Sequence, residues 1–586
     1  MKKLIKMYGY NLAIIILIIL FYLPSFQFTG IQDGDEFPSI AAPLRLAGVD
    51  WSGILSKNGI WHGYGHIFML FPFFYLCKDW ASIYIIIKSW GLFIWVFMAL
   101  AIHYLCKKFL NCTECQSFVI AIICVLGVLK PDYGFGLSAL TEEFIGFALV
   151  IISLLHEQNN KSPKWYLAFG SGFLMTYLFT IHSRAAIIVV SYIFVFSFFY
   201  IMNKDSIKIS IILLFVVGLI SGYLVYKGAD SFYVRYVLST NESVGSLDNN
   251  ATSMVSRSLS SALMTSWNKN QITDLLKLIF SLTESANIIS FGYLFVCITS
   301  IILYTINKYK MCKMLDGVSF IGIWGIISFT LMNLSIALKN YMKAENEPRM
   351  YLYIRYAIPF CILIILSGTI IIIREIEKFQ NAYLLAGVVS VISYKMFMVL
   401  IVPKLNSKAL MAMASIFKMF FCQENESPTM YFNKLLFYEI IICFVIIFRC
   451  IKHKEKLVIS IYLAVSLFFW ISSFDYKGKR EDSIIASADA STEVLNWAEK
   501  ENINIYVTTK QSNAPGYIRS LQTYNVRTKL NYLNEDEISE LTDGILLSDL
   551  SKINTNVNLY SIQIDDNEYA YSKDLSLLQL IPIKEH

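Results

Sequence analysis

The chain has 586 residues, of which 56% are hydrophobic and 16% are charged. Soluble domains carry about 25% charged residues, so this composition excludes a soluble globular enzyme, a disordered chain and a fibre. The formal net charge of +6 is small, and no clustered basic face indicates a nucleic-acid partner. The sequence therefore predicts a polytopic membrane protein, and its many aromatic residues are typical of the lipid interfaces of such proteins.

Apolar runs of about 20 residues, each long enough to cross a bilayer, recur along the first part of the chain. The loops that carry clustered lysine and arginine are predicted to be cytoplasmic, and so is the N-terminus with Lys2, Lys3 and Lys6. A shorter run over 64–77 contains Pro72 and is predicted to lie on the outer surface as an interfacial helix. About thirteen membrane spans are predicted in total, and this odd number places the C-terminus outside. The predicted spans are 9–29, 82–105, 117–131, 139–155, 165–181, 184–202, 209–226, 287–307, 317–337, 354–373, 381–402, 433–448 and 457–473.

The chain is predicted to form two domains. Residues 1–473 form the transmembrane domain, whose first outer loop covers 30–81 and whose long polar outer loop covers 227–285. Residues 474–586 are polar and combine helical patterns over 491–501 and 534–541 with strand patterns over 503–509, 544–547 and 557–564. The predicted fold is an α-helical polytopic protein of the cell membrane with a small extracytoplasmic α/β domain at its C-terminus.

The first outer loop begins with acidic residues and continues with aromatic ones. Asp35 and Glu36 lie just beyond the first span, where a carboxylate can take a proton from a hydroxyl group at the membrane surface; a solvated loop is the alternative. His62, Tyr64 and His66 alternate with glycines, which is typical of a packed loop that faces a ligand, and ordinary interfacial residues are the alternative. A divalent metal is possible here, but the histidine spacing is a weak signal, and no metal or other cofactor is predicted.

Charged residues also lie at the mouths of later spans. Glu142 and Glu143 open the fourth span and are expected to face a cavity, because carboxylates that face lipid are costly; favourable placement at a helix N-terminus is the alternative. Arginine binds phosphate in a bidentate manner and lysine supplies a point charge. Cations at one depth therefore predict a site for a phosphate-linked lipid headgroup, with snorkelling to the interface as the alternative: Lys88, Arg184, Arg355 and Lys395.

These residues resemble the motifs of the GT-C class of membrane glycosyltransferases, which use polyprenyl-phosphate sugars and include the protein O-mannosyltransferases and aminoarabinose transferases. The span count and the outer C-terminal domain are similar to that class as well. The C-terminal domain has no Trp-Trp-Asp motif, unlike the oligosaccharyltransferase branch. The resemblance rests on Asp35-Glu36, the run from Tyr64-Gly65 to Pro72, Thr141-Glu142-Glu143, His182-Ser183-Arg184 and Arg355-Tyr356-Ala357-Ile358-Pro359.

The resemblance implies a single displacement at the outer membrane face, with no metal required. Asp35, or Glu36 as the alternate, would take the proton of the acceptor hydroxyl while the polyprenyl phosphate leaves. The partners would be a polyprenyl-phosphate sugar, membrane lipid and an extracytoplasmic acceptor, whether cell-surface glycan, lipid or protein. The implied roles are catalysis by Asp35, Glu36, Glu142 and Glu143, phosphate binding by Arg184, Arg355, Lys395 and Lys88, and substrate binding by His62, His66, Tyr64 and Tyr356.

The sequence is also compatible with two other functions. A polysaccharide polymerase or ligase would concentrate basic residues in one large outer loop, whereas 227–285 has Arg235 and Arg257 but is rich in Ser, Asn and Thr. A flippase or transporter of lipid-linked sugars would have broken helices and charges near the midplane. A pocket that opens only outward and is lined by Asp35 and Arg355 would favour sugar transfer over transport.

Overall fold

The computed structural model describes residues 2–23, 26, 36–58, 63, 65–77, 79–126, 137–203, 208–237, 268–406, 427–436, 489–508, 516–541, 543–553, 556–566 and 568–582. Within these ranges, the structure is helical before residue 437, and all strands follow residue 500. The helices of the first part are α1 (Lys2–Tyr22), α2 (Glu36–Leu46), α3 (Ser52–Asn58), α4 (Phe71–Leu76), α5 (Trp80–Lys108), α6 (Glu114–Leu126), α7 (Leu137–Lys161), α8 (Trp165–Tyr177), α9 (Ala185–Met202), α10 (Ile209–Phe232), α11 (Lys269–Ile289), α12 (Tyr293–Cys312), α13 (Gly317–Asn340), α14 (Ile358–Glu375), α15 (Gln380–Leu400) and α16 (428–436).

The helices confirm a multi-pass membrane architecture. In the described part of the chain, six helices are long and apolar enough to cross a bilayer, and the bent pair α11–α12 is a seventh candidate. Each of the first eleven predicted spans overlaps a helix, because a span must satisfy its backbone hydrogen bonds internally. The last two predicted spans, 433–448 and 457–473, lie largely outside the described residues.

The prediction of a long polar loop over 227–285 is wrong at both ends, where the chain is helical. α10 continues through Phe232 and a π-helical turn, Tyr233–Val237, and α11 begins at Lys269. α11 is amphipathic: Leu278, Leu282, Ala286 and Ile289 are buried on one face, at helical spacing, while much of its N-terminal half is polar. A search of the sequence for continuous apolar runs does not detect such a helix, because its polar residues interrupt the runs.

A sharp corner joins α11 to α12, which are bent by 104°. Phe291 and Gly292 have positive φ angles of 51° and 76°, and the side chain of Asn287 accepts a hydrogen bond from the Phe295 N–H at 3.3 Å. α12 begins at Tyr293, whereas the predicted eighth span begins at residue 287, within α11. α11 also supports the segment that precedes α14, because the Ser281 hydroxyl donates to the carbonyl of Tyr351 at 2.7 Å.

The C-terminal part confirms a small α/β fold. Its helices are α17 (Asp489–Lys500), α18 (Gly516–Tyr524) and α19 (Leu575–Gln579), and its strands are β1 (Ile505–Thr508), β2 (Asn531–Tyr532), β3 (Ile545–Ser548), β4 (Tyr560–Asp565) and β5 (Glu568–Ser572). The sheet order is β2-β1-β3-β5-β4. β1 is parallel to β2 and β3, whereas β5 is antiparallel to β3 and β4. The sequence predicted β1, β3 and β4 but neither β2, which has two residues, nor β5.

The α/β domain contacts the 30–81 loop through residues 526–530, which we call the clamp segment. The Trp51 indole N–H donates to the carbonyl of Val526 at 2.8 Å in a buried setting. The Arg527 guanidinium donates to the carbonyls of Tyr75 and Cys77. Lys529 forms an ion pair with Asp50 at 3.1 Å. The clamp segment thus contacts the loop on both sides of residues 63–67.

We predict that Asp50→Asn loosens the clamp in a pH-dependent manner. Partial burial raises the pKa of Asp50, but hydrogen bonds from Ser52 and Lys529 and the charge of Arg45 outweigh it and lower the pKa from 3.8 to about 2. A lowered pKa means that the stabilisation is present above about pH 4 and is lost as the pH falls through about 2.

In thermal unfolding of the detergent-solubilised chain at neutral pH, Asp50→Asn should therefore have a lower free energy of unfolding than the wild type. The difference should be below about 1 kcal/mol because the ion pair is partly exposed. This difference between the variant and the wild type should disappear as the pH falls from about 4 to about 2. A deficit that is constant over this range would contradict the assignment.

Candidate functional site

A buried ion pair joins the start of α7 to the start of α9. The Arg184 guanidinium donates to Oε2 of Glu142 at 2.6 Å, and the two side chains are 6% and 4% exposed. Glu142 lies in the second turn of α7, and Arg184 is the residue that caps the N-terminus of α9. Charges in an apolar surrounding persist only when they are paired. The pair therefore fixes the relative position of these two helix mouths.

Tyr356, just before α14, brings a second arginine to this pair. The Arg184 guanidinium lies 3.9 Å from the centre of the Tyr356 ring, and that of Arg355 lies 5.1 Å from it. The His182 ring is 5.5 Å away, and the Tyr353 hydroxyl donates to that of Tyr356 at 3.1 Å. A ring face attracts cations, so Tyr356 holds two guanidinium groups close together despite their like charge.

The turn before α9 sets the direction of Arg184. Nδ1 of His182 accepts the backbone N–H of Arg184 at 3.1 Å and lies 3.1 Å from the Ser183 hydroxyl. The imidazole thus closes a local turn on its own chain, and its ring also packs on Tyr356. His182 and Tyr353 complete the cluster. The predicted site did not include them, although each is within three residues of a predicted residue.

The aromatic, glycine-rich part of the 30–81 loop docks against the turn between α8 and α9. The Gly65 N–H donates to the carbonyl of Thr180 at 2.9 Å, and the Tyr177 hydroxyl donates to the carbonyl of Gly65 at 2.8 Å. A Cβ atom at Gly63 would overlap the carbonyl oxygen of Ile181. These glycines are required because two backbones approach here with no room for a side chain.

This docking buries His66 completely. In the described part of the chain, neither ring nitrogen of His66 has a hydrogen-bond partner, and its ring centre is 6.4 Å from that of Phe144. Burial lowers the pKa of His66 to about 3, so the imidazole is neutral at physiological pH.

The ion pair also leaves hydrogen-bonding capacity unused. Oε1 of Glu142 and Nε of Arg184 have no hydrogen-bond partner among the described residues. Buried polar atoms are normally satisfied, and exceptions require an explanation such as a ligand. The free carboxylate oxygen of Glu142 and the guanidinium N–H of Arg184 can therefore accept from and donate to a polar substrate.

The structure brings together several of the predicted site residues. Glu142, Arg184, Arg355 and Tyr356 meet in one cluster, and Glu143 is buried next to it on α7. Lys88 is buried on α5, with its ammonium group 5.0 Å from the centre of the Tyr84 ring.

Lys395 does not belong to the cluster that the sequence predicted for it. It is exposed on α15, on a face that also exposes Ile392 and Met396. A cation that is exposed among apolar side chains fits the alternative of snorkelling.

Other predicted residues are not described. Asp35, His62 and Tyr64 lie outside the described residues, and Glu36 is described only as the first residue of α2. Among the described residues, no three His, Cys, Asp or Glu side chains are grouped closely enough to hold a metal ion.

Comparison with known proteins gives similarity to solved structures. No protein-family model matches the chain, and no curated protein sequence does. The crystal structure of ArnT from Cupriavidus metallidurans bound to undecaprenyl phosphate is similar over 97% of this chain and 99% of that chain, with a TM-score of 0.47 and 8% sequence identity.

We predict that the ion pair behaves as a unit in stability measurements. Arg184→Met should lower the free energy of unfolding by about 3–5 kcal/mol, because it leaves Glu142 as an unpaired buried carboxylate. The double variant Glu142→Gln/Arg184→Met should recover most of this loss. Chemical or thermal unfolding in detergent measures both, with Arg349→Ala, at an exposed arginine paired with Glu347, as the control. Equal losses for Arg184→Met and Arg349→Ala would refute the prediction.

Proposed function

We propose that this protein is a membrane glycosyltransferase of the GT-C type, which moves a sugar from a polyprenyl-phosphate donor to an extracytoplasmic acceptor. The observation that supports it most is the convergence of Arg184 and Arg355 on Tyr356, with Glu142 paired to Arg184. The residues of this cluster come from the motifs that resemble the GT-C class. They also form a site in which an anion and a polar sugar can be held together.

The two arginines suit the leaving group of such a reaction. As the bond between the anomeric carbon and the phosphate oxygen breaks, its electron pair stays on the phosphate, whose negative charge grows. Guanidinium groups that are already positioned stabilise this charge without reorganisation, and hydrogen bonds from arginine to phosphate are among the strong ones. Nε of Arg184 is not used by Glu142 and can serve this purpose.

The proton of the acceptor requires a base. We assign this role to Asp35, with Glu36 as the alternate: the carboxylate takes the hydroxyl proton as the acceptor oxygen forms its bond to the anomeric carbon. The support is that α2 begins at Glu36 and packs against α7, the helix that carries Glu142. Glu142 orients Arg184, and His66, being neutral, can donate to or accept from a sugar hydroxyl.

One feature favours a second candidate, a flippase for lipid-linked sugars. The α11–α12 pair is bent by 104°, and broken helices of this type line the substrate sites of transporters. Sugar transfer by the purified chain in detergent, where there are no two compartments, would exclude transport as the sole function.

The base assignment predicts that Asp35→Asn/Glu36→Gln abolishes transfer while leaving donor binding intact, because a carboxamide cannot accept the proton. The assay mixes the purified chain, polyprenyl-phosphate hexoses or pentoses labelled in the sugar, and a cell-envelope extract as the acceptor. Each single variant shows which carboxylate acts. Full transfer by the double variant would rule out this assignment.

The phosphate assignment predicts that Arg355→Ala lowers kcat/KM for the donor by about 10²–10³, the usual effect of removing one group that stabilises transition-state charge. Arg355→Lys should restore only part of the rate because it cannot bind in a bidentate manner. Arg349→Ala, nine residues before the start of α14 and paired with Glu347 at the surface, is the matched control. Equal rates for Arg355→Ala and Arg349→Ala would contradict the assignment.

A further inference from the structure

The connection between α5 and α6 folds the chain back so that two cysteines meet. Asn111 has a φ angle of 52°, in the left-handed region that asparagine enters more readily than most residues. The Cys112 N–H then donates to the carbonyl of Cys106 at 3.0 Å. The thiols of Cys106 and Cys112 form a hydrogen bond with each other. The end of α5 and the connection that follows it therefore hold two sulfur atoms side by side.

An arginine from a third helix lies against this pair. Arg374, at the C-terminal end of α14, donates to Sγ of Cys112 at 3.7 Å. The hydrogen bond from Cys106 and the positive charge of Arg374 together outweigh partial burial and lower the pKa of Cys112 from 9.0 to about 7. The thiolate is the nucleophilic form of cysteine, and a neighbouring positive charge favours it. A large fraction of Cys112 is therefore a thiolate at neutral pH.

The acidic residue nearest to Cys112 in the sequence is held by other groups. Glu114 begins α6, where Lys107 forms an ion pair with its Oε1 and Nε2 of His103 lies 3.4 Å from its Oε2. The carboxylate thus lies against the end of α5. The groups that act on the charge of Cys112 are Cys106 and Arg374.

A third cysteine nearby provides a contrast. Cys112 and Cys115 have the C-x-x-C spacing that is common in redox-active pairs. Cys115, however, is exposed in the first turn of α6, whereas Cys106 is fully buried and Cys112 is 8% exposed. The tertiary structure thus pairs Cys112 with Cys106, although the sequence spacing would pair it with Cys115.

We propose that Cys112 and Cys106 form a redox-active pair, which a hydroperoxide such as hydrogen peroxide converts into a disulfide. Cys112 reacts first because its sulfur is held by Arg374 and is the more accessible of the two, and the buried Cys106 is the resolving thiol. Lys107 and Lys108 predict that this end of α5 is cytoplasmic. Cytosolic thiols are kept reduced and cytosolic disulfides are usually transient, so the pair is expected to be reduced at rest.

The reaction proceeds in two steps. The Cys112 thiolate attacks one oxygen of hydrogen peroxide, the O–O bond breaks, and the hydroxide that leaves takes up the proton that Cys112 had released. The sulfur is oxidised to a sulfenic acid, and the peroxide is reduced by two electrons to water. The sulfur of Cys106 then attacks that of Cys112. The S–S bond forms as the S–O bond breaks, and the leaving hydroxide takes the proton of Cys106 to give a second water.

The pair lies far from the 30–81 loop. Trp90, whose indole donates to the carbonyl of His66 in that loop at 2.7 Å, precedes Cys106 by about 24 Å along α5, given the rise of a helix per residue. The inference therefore does not rest on the proposed function. Its test uses no sugar transfer, so either proposal can fail while the other stands.

The experiment treats the full chain, purified in detergent and reduced, with hydrogen peroxide at neutral pH. Differential alkylation and peptide mass spectrometry then locate each disulfide. The wild type should form the Cys106–Cys112 disulfide, and dithiothreitol should reverse it. Cys106→Ser should stop at a sulfenic acid on Cys112, which dimedone traps, and Cys112→Ser should give neither product. Cys106→Ala, which keeps the buried position apolar, should give the same sulfenic acid as Cys106→Ser.

The matched control is Cys115→Ser, because it removes the exposed thiol of the C-x-x-C spacing. It should form the Cys106–Cys112 disulfide at the wild-type rate, and thermal unfolding of the reduced proteins checks that every variant is folded. A Cys112–Cys115 disulfide in the wild type, or reduced Cys106 and Cys112 after peroxide has oxidised Cys115, would overturn the proposal.

The pH profile of the reaction tests the part played by Arg374. In the wild type, the rate of Cys112 oxidation should rise with pH around a midpoint of about 7. Arg374→Gln should move this midpoint upward by about one pH unit, because a nearby opposite charge favours the ionised form of a group. Arg374→Lys, which keeps the charge, should retain most of the wild-type profile. An unchanged midpoint in Arg374→Gln would overturn the assignment of Arg374 to this pair.

Discussion

The buried ion pair between Glu142 and Arg184 is the contact on which the candidate site depends. Removing two charges from water costs several kcal/mol for each ion, so neither side chain would remain inside the bundle without the other. Through this pair α7 is joined to α9, and through the stacking of Arg184 on Tyr356 both are joined to the segment before α14. Three parts of the chain that are far apart in sequence thus meet at one end of the bundle.

The 30–81 loop is held at this end from two directions. The turn between α8 and α9 accepts Gly63 and Gly65 where side chains would not fit, which leaves His66 buried beside α7. The clamp segment of the α/β domain contacts the flanks of the same loop through Val526, Arg527 and Lys529. The α/β domain therefore has a structural role for the loop that carries the proposed base.

Polar and apolar recognition meet at one place on α7. Glu142 pairs with Arg184, and the ring of Phe144, two residues on, contacts those of His66 and Phe147. Charged and aromatic side chains therefore adjoin within one turn of α7.

The sequence by itself determined the membrane architecture, because every span needs a long apolar run and charged side chains beside spans are rare enough to identify Glu142, Arg184 and Arg355 as candidates. Only the tertiary structure decided which charges meet: Arg184 pairs with Glu142, whereas Lys395 is exposed on α15. It also decided that part of the predicted polar loop is the amphipathic helix α11, and that aromatic residues of α5 and α7 contact one another. It buries His66, whose ring nitrogens have no hydrogen-bond partner among the described residues. These features arise from contacts between residues tens to hundreds of positions apart, which local composition and periodicity do not encode.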